Sequence, residues 1–504
     1  MNVYSIQTYA ELLEEAGLLV RASVPDGAAA IERITYDSRE CVPLTLFACK
    51  GAAFRPEYLA DAISRGAVCY VSQLEYQVEA AARIVTDVRK AMALIADLFY
   101  GKAYRRLKLI GITGTKGKST TAYYIKYILD EYLQSAGERP SAIISTIDVY
   151  DGRIMKDSHL TTPEAFELHR HFSNAVESGI RFFEMEVSSQ ALKYDRVDGV
   201  EFDAGVFLNI SEDHISPAEH ADFEDYFSSK LKLFSQCRLA VVNLDSDYPE
   251  RILEAAQVCR SVRTFGLYKE ADVCGYDVRK VGDEIHFQVR TKEFDEEFAL
   301  TMQGLFNVEN ALAAIAVCSQ YGIPVEQMRQ GLRKARSRGR MEGYRNEDGS
   351  ILAIVDYAHN KLSFQKVYES IREEYPGRRV ITVFGCTGGK ALNRRAEMAQ
   401  LAGKYSDRVY LTMDDPGWEE VHAISQEVEG YLENPACERF LIDDRGEAIT
   451  AAIRDAEPGS VVMVAGKGHE TVQKIRGECV PCKPDSWYVQ TALKLRVPAE
   501  ALGS

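Results

Sequence analysis

Leu107–Thr121 reads LKLIGITGTKGKSTT, and this stretch decides the fold. A short apolar run enters a loop carrying glycines, a lysine and consecutive hydroxyls, and a helical pattern, AYYIKYILDEYL, follows at once. The order is strand, phosphate loop, helix. Backbone N–H groups at the positive end of such a helix hold phosphate oxygens, and Lys118 adds a point charge. Ser119 is placed to put a hydroxyl on Mg²⁺. Gly114, Thr115, Lys116, Gly117, Lys118, Ser119 and Thr120 are therefore the candidate nucleotide-binding set. A strict Walker pattern needs glycine at 112; this chain has Ile112, with its glycines at 111, 114 and 117. The expected ligand is a nucleoside triphosphate.

Outward from this loop, from about 105 to 338, apolar runs of strand length alternate with amphipathic stretches: KLIGIT, AIIST, RFFEMEV, AGVFLNI and LAVVNLD. Such alternation implies βαβ units and a mostly parallel sheet, with ligands at the carboxyl ends of the strands. Glu186 closes RFFEMEV, Asn209 closes VFLN, and Asp213 and His214 lie just beyond. Residues before about 100 form a small α/β module: ITYDSREC, LTLFACKG, the helical PEYLADAISRG and AVCYVSQ. After SRGRME the pattern restarts in ILAIVDYAH, RVITVFGCTGG, RVYLTMDDPG and SVVMVAGKGHE, which reads as a second Rossmann-like unit. The expected domains are 1–100, 101–338 and 339–504, all of α/β class.

The 504 residues suit about three domains. A formal charge of −15 disfavours nucleic acid as a partner, because phosphate backbones attract basic surfaces. No apolar run approaches membrane-spanning length, and MNVYSIQTYAELLEEAG lacks a signal-peptide pattern, so neither a membrane nor export is expected. Eleven cysteines without a framework suit a reducing cytoplasm. Cys479 and Cys482 form a lone C-x-x-C with no second pair nearby.

TGTKGKSTT, MEVSSQAL, NISEDH, YFSSKLKLF, LFNVENALAA, GRME, DYAH and GKGHE occur in one order along the chain. Together they resemble the Mur ligases, and within them the UDP-N-acetylmuramoyl-tripeptide synthetases (the MurE class). The resemblance runs from the DSR at 37–39 to GKGHE at 466–470. It implies a three-domain architecture: a small N-terminal α/β domain that binds the UDP-sugar, a central P-loop ATPase domain and a C-terminal Rossmann-like domain that binds an amino acid. It also implies a monomeric cytoplasmic enzyme of peptidoglycan precursor synthesis. ATP would phosphorylate the terminal D-glutamate carboxylate of a UDP-MurNAc-dipeptide, and the amine of a free diamino acid would displace phosphate.

The resemblance also implies roles for residues. Lys118 would contact the β- and γ-phosphates, and Ser119, Glu186 and His214 would hold Mg²⁺ at two sites. Lys230, carbamylated by CO₂, would become an anionic metal ligand. From residues alone Lys230 and Lys232 are both plain helix-surface candidates; the match of YFSSK to the family pattern selects Lys230. Adenine would fall to Asn307 and Asn310, whose amides pair with donor and acceptor edges. Arg340, Asp356 and Arg395 match positions that reach ATP, although the family usually shows Lys-Arg where this chain has Arg394–Arg395. Ser38, Thr161, Thr162, Ser188 and Arg196 match the UDP-MurNAc-dipeptide motifs. The first domain departs from the family, with PLTLF for P-G-D-L-F and FRPEYL for D-G-x-x-F.

Asp414, Asp415, Gly466 and Glu470 are the candidate amino-acid-binding set. Diaminopimelate enzymes carry D-N-P-R, whose arginine grips a distal carboxylate bidentately. Here the loop reads Asp414-Asp415-Pro416-Gly417-Trp418-Glu419, which favours a distal ammonium and hence L-lysine. GKGHE resembles the diaminopimelate class instead, so diaminopimelate and ornithine stay as alternatives. A folylpolyglutamate- or cyanophycin-type ligase shares the core but would not need the DSR, TTPE or EVSSQAL motifs. A non-ligating P-loop NTPase would want an N-K-x-D motif, and none is present.

Overall fold

The computed structural model describes residues 3–23, 29–51, 53–212, 215, 219–390 and 392–496. The chain divides into two compact units. One comprises Met1–Gly275 with Arg290–Phe294 and Asn310–Gly331; the other comprises Tyr276–Val289, Asp295–Glu309 and Leu332–Ser504.

In the first unit the near-continuous apolar runs become a mostly parallel sheet, as expected for strands buried on both faces. Its order is Met155–Asp157, Asp148–Tyr150, Ala142–Ile144, Phe182–Glu186, Lys108–Thr113, Phe202–Phe207, Cys237–Asn243, Ser261–Gly266. The strands from Ala142–Ile144 to Ser261–Gly266 are parallel, and the first two add an antiparallel hairpin. From Lys108–Thr113 the chain first builds towards Ala142–Ile144 and then returns to add Phe202–Phe207 on the other side. The sheet therefore reverses its winding beside the central strand, and ligands of such sheets sit at this switch point. Register places Glu186 opposite Ile112 and Phe207 opposite Thr113, so three strand ends meet there. Gly111 belongs to the packing: a Cβ on it would lie 2.8 Å from the Phe202 ring.

The N-terminal module has its own sheet, ordered Leu19–Ala22, Ala81–Val85, Ala67–Ser72, Thr45–Ala48, Arg33–Thr35, with only the first strand antiparallel. Helices Ile6–Glu15 and Val88–Phe99 cover one face through Tyr9, Leu13, Met92, Ile95 and Phe99. Ala165 and Phe166, which open the helix Ala165–Glu177, join this same core. Helix Pro56–Ser64 covers the other face through Leu59 and Ala62.

The second unit holds a six-stranded sheet ordered Glu342–Arg345, Leu352–Asp356, Val461–Ala465, Val380–Phe384, Arg408–Leu411, Glu438–Leu441, parallel except for the first strand. Helices Lys361–Glu374, Asn393–Tyr405 and Val421–Gly430 pack one face through Phe364, Tyr368, Met398 and Ile424. Helices Arg445–Arg454 and Asp485–Leu495 pack the other through Ile449, Ala452 and Val489. The doubly wound arrangement is the Rossmann-like unit read from the restarted pattern. The strand Glu438–Leu441 went unread because only two of its four residues are even half-buried, so it carries little apolar signal.

Candidate active site

The phosphate loop runs from Gly114 to Gly117, and helix Lys118–Ser135 starts directly after it. Gly117 caps that helix with φ +87°, a conformation that side chains resist. A Cβ there would also collide with the amide oxygen of Asn310 at 2.2 Å. Asn310 is thus seated against the loop, accepting from the Thr121 hydroxyl at 3.4 Å.

The sequence reading left the loop amides open for phosphate, and the structure spends two of them internally. Thr115 N–H donates to the Asn209 carbonyl at 3.0 Å, and Lys116 N–H to the Asn209 side-chain oxygen at 2.9 Å. Asn209 returns a bond from its amide nitrogen to the Lys116 carbonyl at 3.2 Å. Asn209 had been noticed only as the end of VFLN; its staple on the loop needs the pairing of strands 108–113 and 202–207 to be visible. Tyr226 adds a bond from its hydroxyl to Thr115 Oγ1 at 3.0 Å.

Lys118 Nζ curls back to the carbonyls of Gly114 at 2.8 Å and Thr115 at 3.3 Å. Lys230, near the end of helix Phe223–Leu231, reaches the same Gly114 carbonyl at 2.9 Å. Only 1% of Lys230 is exposed, whereas Lys232 is exposed, so the two lysines are not equivalent surface groups. Its Nζ also lies 4.7 Å from the Tyr226 ring centroid.

Ser119 Oγ donates to Glu186 Oε1 at 2.7 Å, and both are buried. Thr146, which the sequence reading did not name, binds both carboxylate oxygens, through its N–H at 2.7 Å and its hydroxyl at 3.1 Å. Thr161 meets that hydroxyl at 3.1 Å, and Thr162 donates to the Glu186 carbonyl at 2.9 Å. Ser188 N–H donates to Thr162 Oγ1 at 3.0 Å, and Arg196 Nη1 donates to the Thr162 carbonyl at 3.0 Å. Thr161, Thr162, Ser188 and Arg196 are therefore continuous with Glu186. Ser38 is buried at the start of the short helix Ser38–Glu40, and with Arg65, bound to Asp61 at 3.0 Å, it holds the Asp61 carboxyl below the usual range. His214 lies outside the described residues. Among those described, no three His, Cys, Asp or Glu side chains cluster as a metal cage. Mg²⁺ does not require one, since it keeps waters and phosphate oxygens as ligands.

In the second unit Asp356 ends its strand and clamps two backbone amides, Met341 N–H at 2.9 Å and Ala358 N–H at 2.7 Å. The Arg340 guanidinium lies 4.8 Å from the Tyr357 ring centroid. Arg395 is buried and bound to Glu419 at 2.9 Å, to Glu427, and to the Thr387 carbonyl at 3.1 Å. Glu419 also accepts from Gly389 N–H. Its carboxylate, in the Asp414–Glu419 loop, is paired with Arg395. Asn307 donates to the Gln303 carbonyl at 2.7 Å.

Lys467 is the hub of the candidate amino-acid set, and the sequence reading missed it inside GKGHE. Its ammonium meets Asp415 at 2.8 Å and Glu470 at 2.6 Å. Burial opposes its charge, but Glu470, Asp414 and Asp415 prevail and raise its pKa. Tyr357 donates to Glu470 at 3.0 Å. Arg445 forms a bidentate pair with Asp485, at 2.6 and 2.7 Å, and donates to the Ala465 and Met413 carbonyls. Asp414 is buried beneath Gly466, where a Cβ would approach its carboxylate to 2.9 Å, and burial raises its pKa. Gly417 sits at φ +60°, with its N–H on the Lys474 carbonyl at 3.0 Å and its carbonyl accepting from Arg476 N–H at 2.6 Å. Cys479 is exposed on the hairpin strand Glu478–Pro481, and neither it nor Cys482 forms a disulfide.

Residues 112–318 match the Mur ligase middle domain, and residues 339–468 match the Mur ligase glutamate ligase domain. A UDP-N-acetylmuramyl-tripeptide synthetase of Lactobacillus delbrueckii subsp. bulgaricus is 37% identical, covering 96% of this chain and 98% of its own. The chain belongs to the Mur ligase family. Among its other relatives, a UDP-N-acetylmuramoyl-L-alanyl-D-glutamate–L-lysine ligase of Enterococcus faecalis is 37% identical over 94% of both chains. A solved UDP-N-acetylmuramoyl-L-alanyl-D-glutamate–2,6-diaminopimelate ligase superposes with a TM-score of 0.67 at 25% identity, covering 98% of this chain and 99% of its own. As a Mur ligase, the protein is an ATP-dependent amide ligase. No helix among the described residues is long and apolar enough to cross a membrane.

Proposed function

We propose that this Mur ligase adds L-lysine to UDP-MurNAc-L-Ala-D-Glu through an acyl phosphate. The observation that carries the choice of lysine is the charge around Lys467. Asp485 is matched by Arg445, which leaves Asp414, Asp415 and Glu470 around the buried ammonium of Lys467, with the exposed Lys474 Nζ 4.0 Å from Asp415 as the other cation. A site with surplus carboxylate welcomes a distal ammonium and repels a second carboxylate. Gly417 stands where an arginine would otherwise receive that carboxylate. The lysine ligase relative supports the same reading.

The remaining assignments follow the geometry of each unit. The loop Gly114–Thr120 receives the triphosphate, and Lys118 exchanges its carbonyl bonds for phosphate oxygens. Ser119 and Glu186, with His214 and a carbamylated Lys230, would hold Mg²⁺, which when bound screens the phosphate charge against the acceptor carboxylate. The Ser119–Glu186 pair is hydroxyl on carboxylate, an all-oxygen donor set that suits a hard cation. Lys118 and Lys230 lie 2.8 and 2.9 Å from one oxygen, and so within about 6 Å of each other. Two ammonium charges at that spacing repel by about 3 kcal/mol at an effective dielectric of about 20, and a carbamate on Lys230 turns the repulsion into attraction. Ser38, Thr161, Thr162, Ser188 and Arg196 orient the acceptor. Asn307, Asn310, Arg340, Asp356 and Arg395 are the proposed nucleotide contacts beyond the loop.

The test is ADP release with product mass measured across lysine, diaminopimelate and ornithine, with and without the UDP-MurNAc-dipeptide. The expected result is acceptor-dependent turnover and a product carrying lysine. Turnover without acceptor, or turnover that requires a folate, overturns the reading.

A further inference from the structure

Glu164 stands at the N-terminus of helix Ala165–Glu177, yet its side chain makes no capping bond. It turns instead into a group of three cations. Lys50 Nζ lies 2.9 Å from Glu164 Oε1, Arg196 Nε 3.2 Å from the same oxygen, and Arg89 Nη1 3.6 Å from Oε2. Lys50 and Arg89 come from the N-terminal module, and Glu164 and Arg196 from the segments that flank the strand Phe182–Glu186 of the central sheet. The Glu164 side chain is 7% exposed, and those of Lys50, Arg89 and Arg196 are 16%, 27% and 11% exposed. Among the described residues no other carboxylate is within ion-pair distance of the three. Arg89 Nη1 and Arg196 Nε are buried and make no hydrogen bond, although both are near Glu164. Lys50 and Arg89 are braced from behind by the rings of Tyr36 and Tyr194, at 4.4 and 4.6 Å from the ring centroids.

Three cations against one carboxylate, at this burial and with idle donors, form a site short of an anion. Arg196 fixes which anion, because its other nitrogen holds the Thr162 carbonyl while the Thr162 hydroxyl holds the Glu186 carbonyl. The cluster is therefore one contact removed from the phosphate-loop carboxylate, at the reacting end of the acceptor. A D-glutamyl terminus carries two carboxylates there, of which one becomes the amide and the other stays charged. We propose that Lys50 and Arg89 join Arg196 in a cationic subsite for the acceptor carboxylate that does not react. The proposal rests on the ligase reading above. Held at that carboxylate, the D-glutamyl group presents the other one for phosphorylation, so the subsite also selects which carboxylate is activated.

The experiment is steady-state kinetics of the full chain with ATP, L-lysine and two acceptors: UDP-MurNAc-L-Ala-D-Glu and its analogue with the non-reacting carboxylate as a carboxamide. The wild type should show a KM for the carboxamide at least about tenfold above that for the diacid, as expected for loss of a charge-assisted contact. Lys50→Gln and Arg89→Gln should each raise the diacid KM about tenfold, leave the KM for ATP and kcat within about threefold, and shrink the preference for diacid over carboxamide. The comparison of the two acceptors on the wild type needs no variant to fold. Equal KM values for both acceptors on the wild type, or variants that impair both acceptors equally, overturn this proposal alone. Absence of acceptor-dependent ADP from the wild type overturns the ligase reading, and this proposal with it.

Discussion

Gly417→Arg isolates the amino-acid choice, because the position is open in space but constrained in backbone. A Cβ at Gly417 would meet nothing nearer than the Gly388 carbonyl oxygen at 3.6 Å, an ordinary contact. The φ of +60° is held by the Lys474 and Arg476 backbone bonds, so arginine must adopt a left-handed conformation costing about 1–2 kcal/mol. Thermal unfolding should fall by roughly 2–8 °C on that account. The gain is a guanidinium beside Asp414, Asp415 and Glu470, able to pair with a distal carboxylate. One charge-assisted bond contributes about 1.5–3 kcal/mol, or about 10- to 150-fold in kcat/KM for diaminopimelate. The same charge repels the lysine ammonium, so the lysine value should fall. The assay is kcat/KM for both amino acids on both proteins, with a melting curve for each. A wild type that prefers diaminopimelate refutes the reasoning, and so does a folded variant whose preference is unchanged.

Lys230→Ala should lose most activity and regain part of it with added short carboxylic acids, while Lys232→Ala stays near wild type; the reverse pattern in turnover assays would shift the ligand by two positions. Asn209→Leu removes the partner of the half-buried Lys116 N–H, and should cost about 1 kcal/mol in denaturant unfolding and raise the KM for ATP. The buried His171 bonds Asp151 at 2.6 Å and faces Glu167 at 3.6 Å; burial opposes its charge, yet these carboxylates raise its pKa. The His171 imidazole beside it chiefly holds the Glu167 carboxyl down to about 2, against the cost of burial. The histidine contribution is complete below its unfolded pKa of about 6.5 and is lost as pH rises through the raised folded value. The Glu167 contribution is complete above about pH 4.5 and is lost as pH falls towards 2. Unfolding free energy measured against pH should therefore lose its alkaline decline in His171→Gln; an unchanged slope there would show that the pair is not charged.

The phosphate loop, the mostly parallel character of the central sheet and the restarted C-terminal pattern were legible because each is a local signal, an apolar run ending in polar or glycine residues. Glu186 could be placed because it closes its strand, and the structure sets it against Ser119. Lys230 and Lys232 could not be separated by pattern, since their difference is burial against a loop more than a hundred residues away in sequence. Thr146, Lys467 and Glu164 were missed for a related reason. Each is ordinary in its own segment and acquires meaning only from partners brought in by sheet pairing or by packing of the N-terminal module. Glu419 likewise finds its partner only in the fold, where its carboxylate pairs with Arg395 of another segment.

The staple between Asn209 and the phosphate loop has a thermodynamic consequence for nucleotide binding. Two residues of the loop have their backbone polar groups fixed by the neighbouring strand end before any nucleotide arrives, and ordering a residue costs about 1–2 kcal/mol. That cost is met when the chain folds, so it does not recur when ATP binds. Affinity for ATP can then be modest in contacts and still useful, and ADP can leave without the loop having to unravel. A loop shaped in advance also responds little to which nucleotide occupies it, so discrimination between ATP and ADP falls to the charges that meet the last phosphate.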